Sequence, residues 1–259
     1  MMPFHTTLFR YPGKGGWTFA PVPAGSAPPA THGWGRTPVV ATVDGRTWET
    51  SVWRDKSGQT LLPVPAAVRG TKGHGDEVTV ALTLRVVIRQ ARPTEASVVS
   101  GILVEAADWL TARGTPMWRA DELAAERIDA DVVGGQFFVA DHGGEAVGVV
   151  RFQLTDPRFW PDVPEDESVF VHRLAVRRAY ARFGVSTALL IWAADRGAAL
   201  GRRYLRLDCE ASRPRLRAFY ERAGFTFHSE RQVGPYLVAR YQRGLPSTKS
   251  DPTMVGRSR

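Results

Sequence analysis

Residues 174–195, LAVRRAYARFGVSTALLIWAAD, constrain the fold more than any other stretch. An apolar strand enters a basic turn, the turn ends at Gly184, and a helix follows. Val185, Ala188, Leu189, Trp192 and Ala193 recur with the helical period and form its buried face. The first turn of a helix has unpaired N–H groups and the positive end of the helix dipole, which together cradle an anion. Arginines and a backbone-exposing glycine at this point suit a phosphate. The competing reading is a strand-to-helix connection with a solvated basic face.

The chain around it falls into two registers. Over residues 1–83, short β-type runs at 17–23, 38–43, 48–53, 60–65 and 78–84 alternate with Gly- and Asp-rich turns, a spacing that suggests a small barrel or sandwich. VDGRTW (43–48) reads as a hairpin, because Asp-Gly tolerates the positive φ of tight turns. Over residues 84–243 the order is β-α-α-β-β-β-α-β-α-β-β, a mixed α/β layout. Strands are expected at 84–90, 136–141, 146–154, 169–176, 203–209, 225–230 and 236–242, and helices at 94–113, 120–128, 184–200 and 213–223. Nearly continuous β sequence across 78–90 leaves no flexible linker, so the two parts are expected to be held close. The tail, 244–259, lacks apolar periodicity and is expected to be disordered.

Composition narrows the function classes. The longest apolar run, ALLIWAA (188–194), is too short to span a bilayer. No signal peptide is visible, and the single Cys209 cannot form an internal disulfide, so the cytoplasm is expected and a membrane partner is not. The net charge of +8 is spread along the chain without a basic block, which suits one focused anionic ligand better than a nucleic-acid arm. The glycine-rich stretches at 13–16 and 70–76 do not have the nucleotide P-loop spacing. Lys14, Arg36 and Lys72 could meet an anion, although solvated turns explain them as well. The six histidines have no zinc-like spacing, and no metal is expected. Ser186 lies outside a nucleophile elbow, and Cys209 reads as a small packed strand residue.

The ordered set of strand 169–176, turn, helix 184–200, strand 203–209 and helix 213–223, with Tyr220 four residues before Gly224-Phe225, resembles the Gcn5-related N-acetyltransferase (GNAT) superfamily over residues 85–243. The family turn signature is Arg or Gln, two residues, Gly, one residue, then Gly or Ala. Here Ala181 and Ser186 stand at its ends, with Arg182 adjacent and Gly184 kept. In the second family element, Arg213 stands where Asn is usual, seven residues before Tyr220.

The resemblance implies acetyl-CoA as cofactor, held by Arg182, Phe183, Gly184, Val185, Ser186, Thr187 and Arg213. It implies that backbone groups near Leu174, Ala175 and Val176 polarise the thioester, and that Tyr220 protonates the departing thiolate. For the general base we expect Glu167, ahead of Asp166, Glu230 and His172. Trp118, Trp160 and His172 are expected in the substrate pocket, with Trp109 and Phe159 as further aromatic candidates. Residues 4–83, through YPGKGGW (11–17), TLLPVPAAVRG (60–70) and GDEVTVAL (75–82), resemble a small bacterial β-barrel domain of unknown function.

The fold expected is therefore α/β (α+β): a small β-barrel, 1–83, then a GNAT-like mixed sheet with flanking helices, 84–243. The function expected is N-acetyl transfer from acetyl-CoA to an amine of a small molecule or peptide. The alternatives are a non-catalytic acyl-CoA sensor or ligand- or nucleic-acid-binding protein with a degenerate site, and an acetyltransferase acting on charged tRNA.

Overall fold

The computed structural model describes residues 3–12, 15–31 and 35–246. Lys14 and the tail from residue 247 lie outside the described residues, so the expectations placed on them have no structural counterpart.

The first sheet holds β1 (Phe4–Thr7), β2 (Phe9–Arg10), β3 (Thr18–Val22), β4 (Arg36–Val43), β5 (Arg46–Arg54), β6 (Thr60–Pro63) and β7 (Glu77–Leu84). A single helical turn, α1 (Ala66–Arg69), precedes β7. The order is β1-β7-β4-β5-β6-β3-β2, and every pairing is antiparallel. Thr6 Oγ1 donates to the Pro21 carbonyl at 2.9 Å, drawing β1 towards β3 and nearly closing the barrel. Strict alternation in β4 and β7 sends Val39, Ala41, Val43, Val78, Val80 and Leu82 inward. The β4–β5 hairpin turns at Asp44 and Gly45, both at positive φ, as expected for Asp-Gly.

The second sheet has the order β13-β14-β12-β11-β10-β9-β8. Its strands are β8 (Val87–Gln90), β9 (Phe137–His142), β10 (Glu145–Gln153), β11 (Ser168–Val176), β12 (Tyr204–Glu210), β13 (Thr226–Val233) and β14 (Tyr236–Gly244). Helices α2 (Ala96–Thr111) and α3 (Ala125–Val133) share one core with β9 and β10. Helices α4 (Val185–Ala199) and α5 (Pro214–Arg222) share another with β10, β11, β12 and β14. The sheet is thus covered on both faces. No helix of the described residues is long and apolar enough to cross a membrane.

Three local departures from the sequence reading have physical causes. β1 and β2 were not expected, because such short runs gain strand character only by pairing with β7 and β3. The run read as one strand over 84–90 breaks at Arg85 and Val86, because its two ends serve different sheets. The helix expected at 120–128 starts at Ala125, since Leu123 is fully buried and its carbonyl accepts the Ser100 hydroxyl at 2.6 Å.

The two parts meet along a hydrogen-bonded seam. The Leu84 N–H donates to the Phe183 carbonyl at 2.9 Å, in the turn that precedes α4. His142, buried at the end of β9, has Nδ1 2.7 Å from the Arg85 carbonyl and Nε2 2.9 Å from Thr31 Oγ1. A carbonyl only accepts, so Nδ1 carries a proton here and donates it.

Candidate active site

The site forms where β11 and β12 part. They pair in parallel only from Ser168 to Phe170, opposite Tyr204 to Arg206. On its other side β11 pairs with β10, and the register slips between Val149 and Arg151. Arg173 lies inside this irregular stretch at φ +50, a left-handed conformation rare for a side-chain-bearing residue. One result is an open strand edge along 171–176. Another is a cavity of about 700 Å³ between the strands. Val171, His172, Arg173 and Leu174 all line it, although a regular strand would send alternate residues to opposite faces.

Tyr220 of α5 lines the cavity and is largely buried. Its hydroxyl has no hydrogen-bond partner among the described residues. Burial, with the Cys209 thiol and Asp208 nearby, raises its pKa far above that of a free phenol, so it stays protonated. Asp156, His172 and Asp208 form a cluster in the same wall. His172 Nε2 lies 3.0 Å from Asp156 Oδ2, and Nδ1 lies 3.5 Å from Asp208 Oδ1.

The two carboxylates diverge. Burial works to raise Asp156, but its close pairing with the His172 imidazole outweighs that and lowers it. For Asp208 burial prevails: its contact with His172 is longer and Asp156 repels it, so its pKa rises to about 6. A carboxylate at that value is ionised at neutral pH yet basic enough to take a proton. Three ligand atoms within 4.8 Å of one another could also hold a cation. The imidazole lies between the two carboxylates, an arrangement that also serves proton transfer.

At the end of the cleft, Gly184 caps α4 at φ +80, and no side chain caps the helix. The first intrahelical bond runs from the Ala188 N–H to the Gly184 carbonyl, leaving the N–H groups of Val185, Ser186 and Thr187 at the open end. A Cβ on Gly184 would lie 2.8 Å from Thr83 Cγ2, at the end of β7. Beside this turn the Arg113 and Arg178 guanidiniums lie 4.3 and 3.7 Å from the centre of the Trp109 ring. Burial and repulsion from Arg113 and Arg182 lower the pKa of Arg178. Three arginines thus converge near one helix start, a setting that favours an anion.

Several expected residues lie elsewhere. Glu167 is not in the cavity wall; it pairs with Arg203 and Arg206, each at 3.2 Å, where the strands are still joined. Asp166 pairs with Arg202 and Glu230 with Arg217. Trp160 is buried beneath the Arg206 and Arg240 guanidiniums and does not line the cavity, whereas Trp118 and Phe159 do. The Arg213 guanidinium is bound to Glu210 and to the Thr115 and Pro116 carbonyls, so it fastens a loop to the start of α5. Asp156, Asp208, Arg113 and Arg178 were not singled out from the sequence. Apart from the general frequency of Asp and Arg in active sites, nothing in their spacing marks them.

Comparison with known proteins fits this architecture. The profile described as "Acetyltransferase (GNAT) family" matches residues 103–225, and one described as "Domain of unknown function (DUF1905)" matches residues 4–84. The uncharacterized N-acetyltransferase YesJ of Bacillus subtilis (strain 168) is 32% identical over 151 residues, 55% of this chain and 83% of that protein. The chain belongs to the GNAT acetyltransferase family. A GNAT-family acetyltransferase from Listeria monocytogenes 4b F2365 shares the fold with a TM-score of 0.53, at 23% identity over 62% of this chain and 95% of that one. yncA, a putative acetyltransferase from Salmonella typhimurium whose structure includes its cofactor acetyl-CoA, is 17% identical over 65% of this chain and 99% of that one, with a TM-score of 0.49. In this GNAT protein the parted strands and the start of α4 belong to the matched segment, and the barrel precedes it.

Proposed function

We propose that this GNAT protein transfers an acetyl group from acetyl-CoA directly to the primary amine of a small molecule or peptide. The observation that carries the reading is the meeting, in one cavity, of the open β11 edge, the unpartnered Tyr220 hydroxyl and the basic Asp208 carboxylate. Acetyl-CoA supplies the activated thioester. The N–H groups of Val185, Ser186 and Thr187 suit its pyrophosphate, with Arg113, Arg178 and Arg182 adding positive charge. Asp208 takes one proton from the acceptor's ammonium, directly or through a water, to give the neutral amine that attacks, while Asp156 and His172 flank the carboxylate. Backbone N–H groups on the open edge near Leu174 and Val176 polarise the thioester carbonyl. As the new C–N bond forms and the C–S bond breaks, Tyr220 gives its proton to the departing sulfur, and the second proton leaving the nitrogen passes through water to restore the Tyr220 phenol. Asp208 balances the charge by holding the proton lost from the amine.

We propose the cytoplasm as its compartment, which suits a chain with one cysteine, and a functional division between residues 1–83 and 84–243.

Calorimetric titration with acetyl-CoA tests the first half of this reading. Wild type should bind, and Gly184→Glu, which puts a strained, clashing carboxylate into the cradle, should not. Turnover with a panel of amines tests the second half: Tyr220→Phe should retain acetyl-CoA binding and lose most of kcat. Tyr220→Phe turning over at the wild-type rate would remove Tyr220 from the mechanism.

A further inference from the structure

Arg173 is the cavity residue whose placement the transfer chemistry leaves unexplained. Its left-handed φ of +50 turns its side chain into the cavity beside His172. The guanidinium makes one hydrogen bond, from Nη1 to the Glu122 carbonyl at 3.1 Å. Among the described residues no carboxylate lies within ion-pairing distance of it. Asp131, one of the nearest acids, is taken by Arg151 at 2.7 Å, and Arg151 also donates to Gln136. Burial and repulsion from Arg151 lower the pKa of Arg173, while attraction to Glu122 and Asp131 compensates only in part. A half-buried guanidinium without a counter-ion is costly, and its free fork of N–H donors matches a carboxylate.

The cavity therefore has two poles on consecutive residues. His172 fixes the acidic pole with Asp156 and Asp208, which suits an amine. Arg173 forms the basic pole, and Trp118 and Phe159 supply apolar wall between loops. Given the acyl-transfer reading above, we infer that the acceptor is an amine that also carries a carboxylate, an amino acid or a close relative, and that Arg173 binds that carboxylate. Separation by a single residue suits a short acceptor, with the two charged groups at one end and an apolar side chain against the aromatic wall.

The test compares kcat/KM for acetyl transfer to the twenty amino acids and to their carboxamides, expressed per neutral amine because the carboxamides are less basic. Wild type, Arg173→Gln and Arg173→Lys are each assayed. Wild type should favour the acids, and Arg173→Gln should shrink that preference by about 10- to 100-fold, chiefly through KM, as loss of a charged hydrogen bond predicts. Arg173→Lys should restore part of it. Equal use of acids and carboxamides by wild type, or an equal loss for both in Arg173→Gln, overturns the inference. Transfer to carboxamides or simple amines but not to acids overturns this inference alone. Acetyl-CoA binding without transfer to any acceptor overturns the acyl-transfer reading with it.

Discussion

Asp208 concentrates the chemistry of the site in one side chain and sets it against stability. Its pKa rises from 3.8 to about 6 because the ionised form is buried. A raised carboxyl stabilises the fold fully below its unfolded pKa, near 4, and that contribution is lost as pH rises through 6. Asp208→Asn should therefore melt higher than wild type at pH 7–8, by about 1–3 kcal/mol, with the gap closing below pH 4. The same substitution should lower kcat by about 100-fold or more and abolish the acidic limb of the pH–rate profile near pH 6. Thermal melts and initial rates on the same samples check both. A variant both less stable and fully active would contradict the assignment. Tyr220 was legible because it stands four residues before Gly-Phe at the end of a helix. Asp208 does not stand out beside Glu167 in the sequence, because Glu167 precedes the joined end of β11, beside Arg203 and Arg206, whereas Asp208 sits on β12 beyond the parting, beside His172, and sequence alone does not report that placement.

At the scale of elements, the approach of α4 to the sheet governs the geometry of the cleft. It passes so near β10 that a Cβ on Gly148 would lie 2.9 Å from Val185 Cγ1 and 3.2 Å from the Ala175 carbonyl. A backbone oxygen cannot rotate away, so Gly148→Ala should cost about 1–3 kcal/mol, measured by denaturant titration. It should also weaken acetyl-CoA binding, because it pushes on the turn that starts the helix. Arg178→Ala removes one of the two guanidiniums beside the Trp109 ring and should raise the acetyl-CoA Kd by about tenfold. That loss should narrow as salt rises, which titrations at two ionic strengths would reveal. The strand–turn–helix unit was legible because its periodicity changes abruptly at Gly184. The bulge at Arg173 was not, because VFVHRLAV reads as an ordinary strand and the irregularity arises from pairing with β10.

Over the whole molecule, the seam joins the barrel to the transferase sheet through buried, directional bonds. Replacing His142 with Phe would remove the imidazole N–H that the Arg85 carbonyl accepts and the contact to Thr31 Oγ1, at a cost of about 1–3 kcal/mol. Intact protein should unfold in one calorimetric transition, and His142→Phe should split it in two. A wild type that already melts in two steps would show that the seam does not couple the parts. The two-part plan was legible in the change from short strands and turns to mixed helices and strands. The seam was not, since Thr31 and His142 are far apart in sequence and neither belongs to a motif.

The junction between β7 and β8 is only Arg85 and Val86 long, and the strand residue before it already holds the turn that leads into α4. There is no slack. An inserted residue there would shift Leu84 off the Phe183 carbonyl or pull Thr83 away from Gly184. For this chain, it means that the barrel and the transferase cannot shift relative to each other by an insertion at the junction without breaking a contact. Chain length at this point is therefore a structural constraint, even though neither junction residue touches a reacting atom.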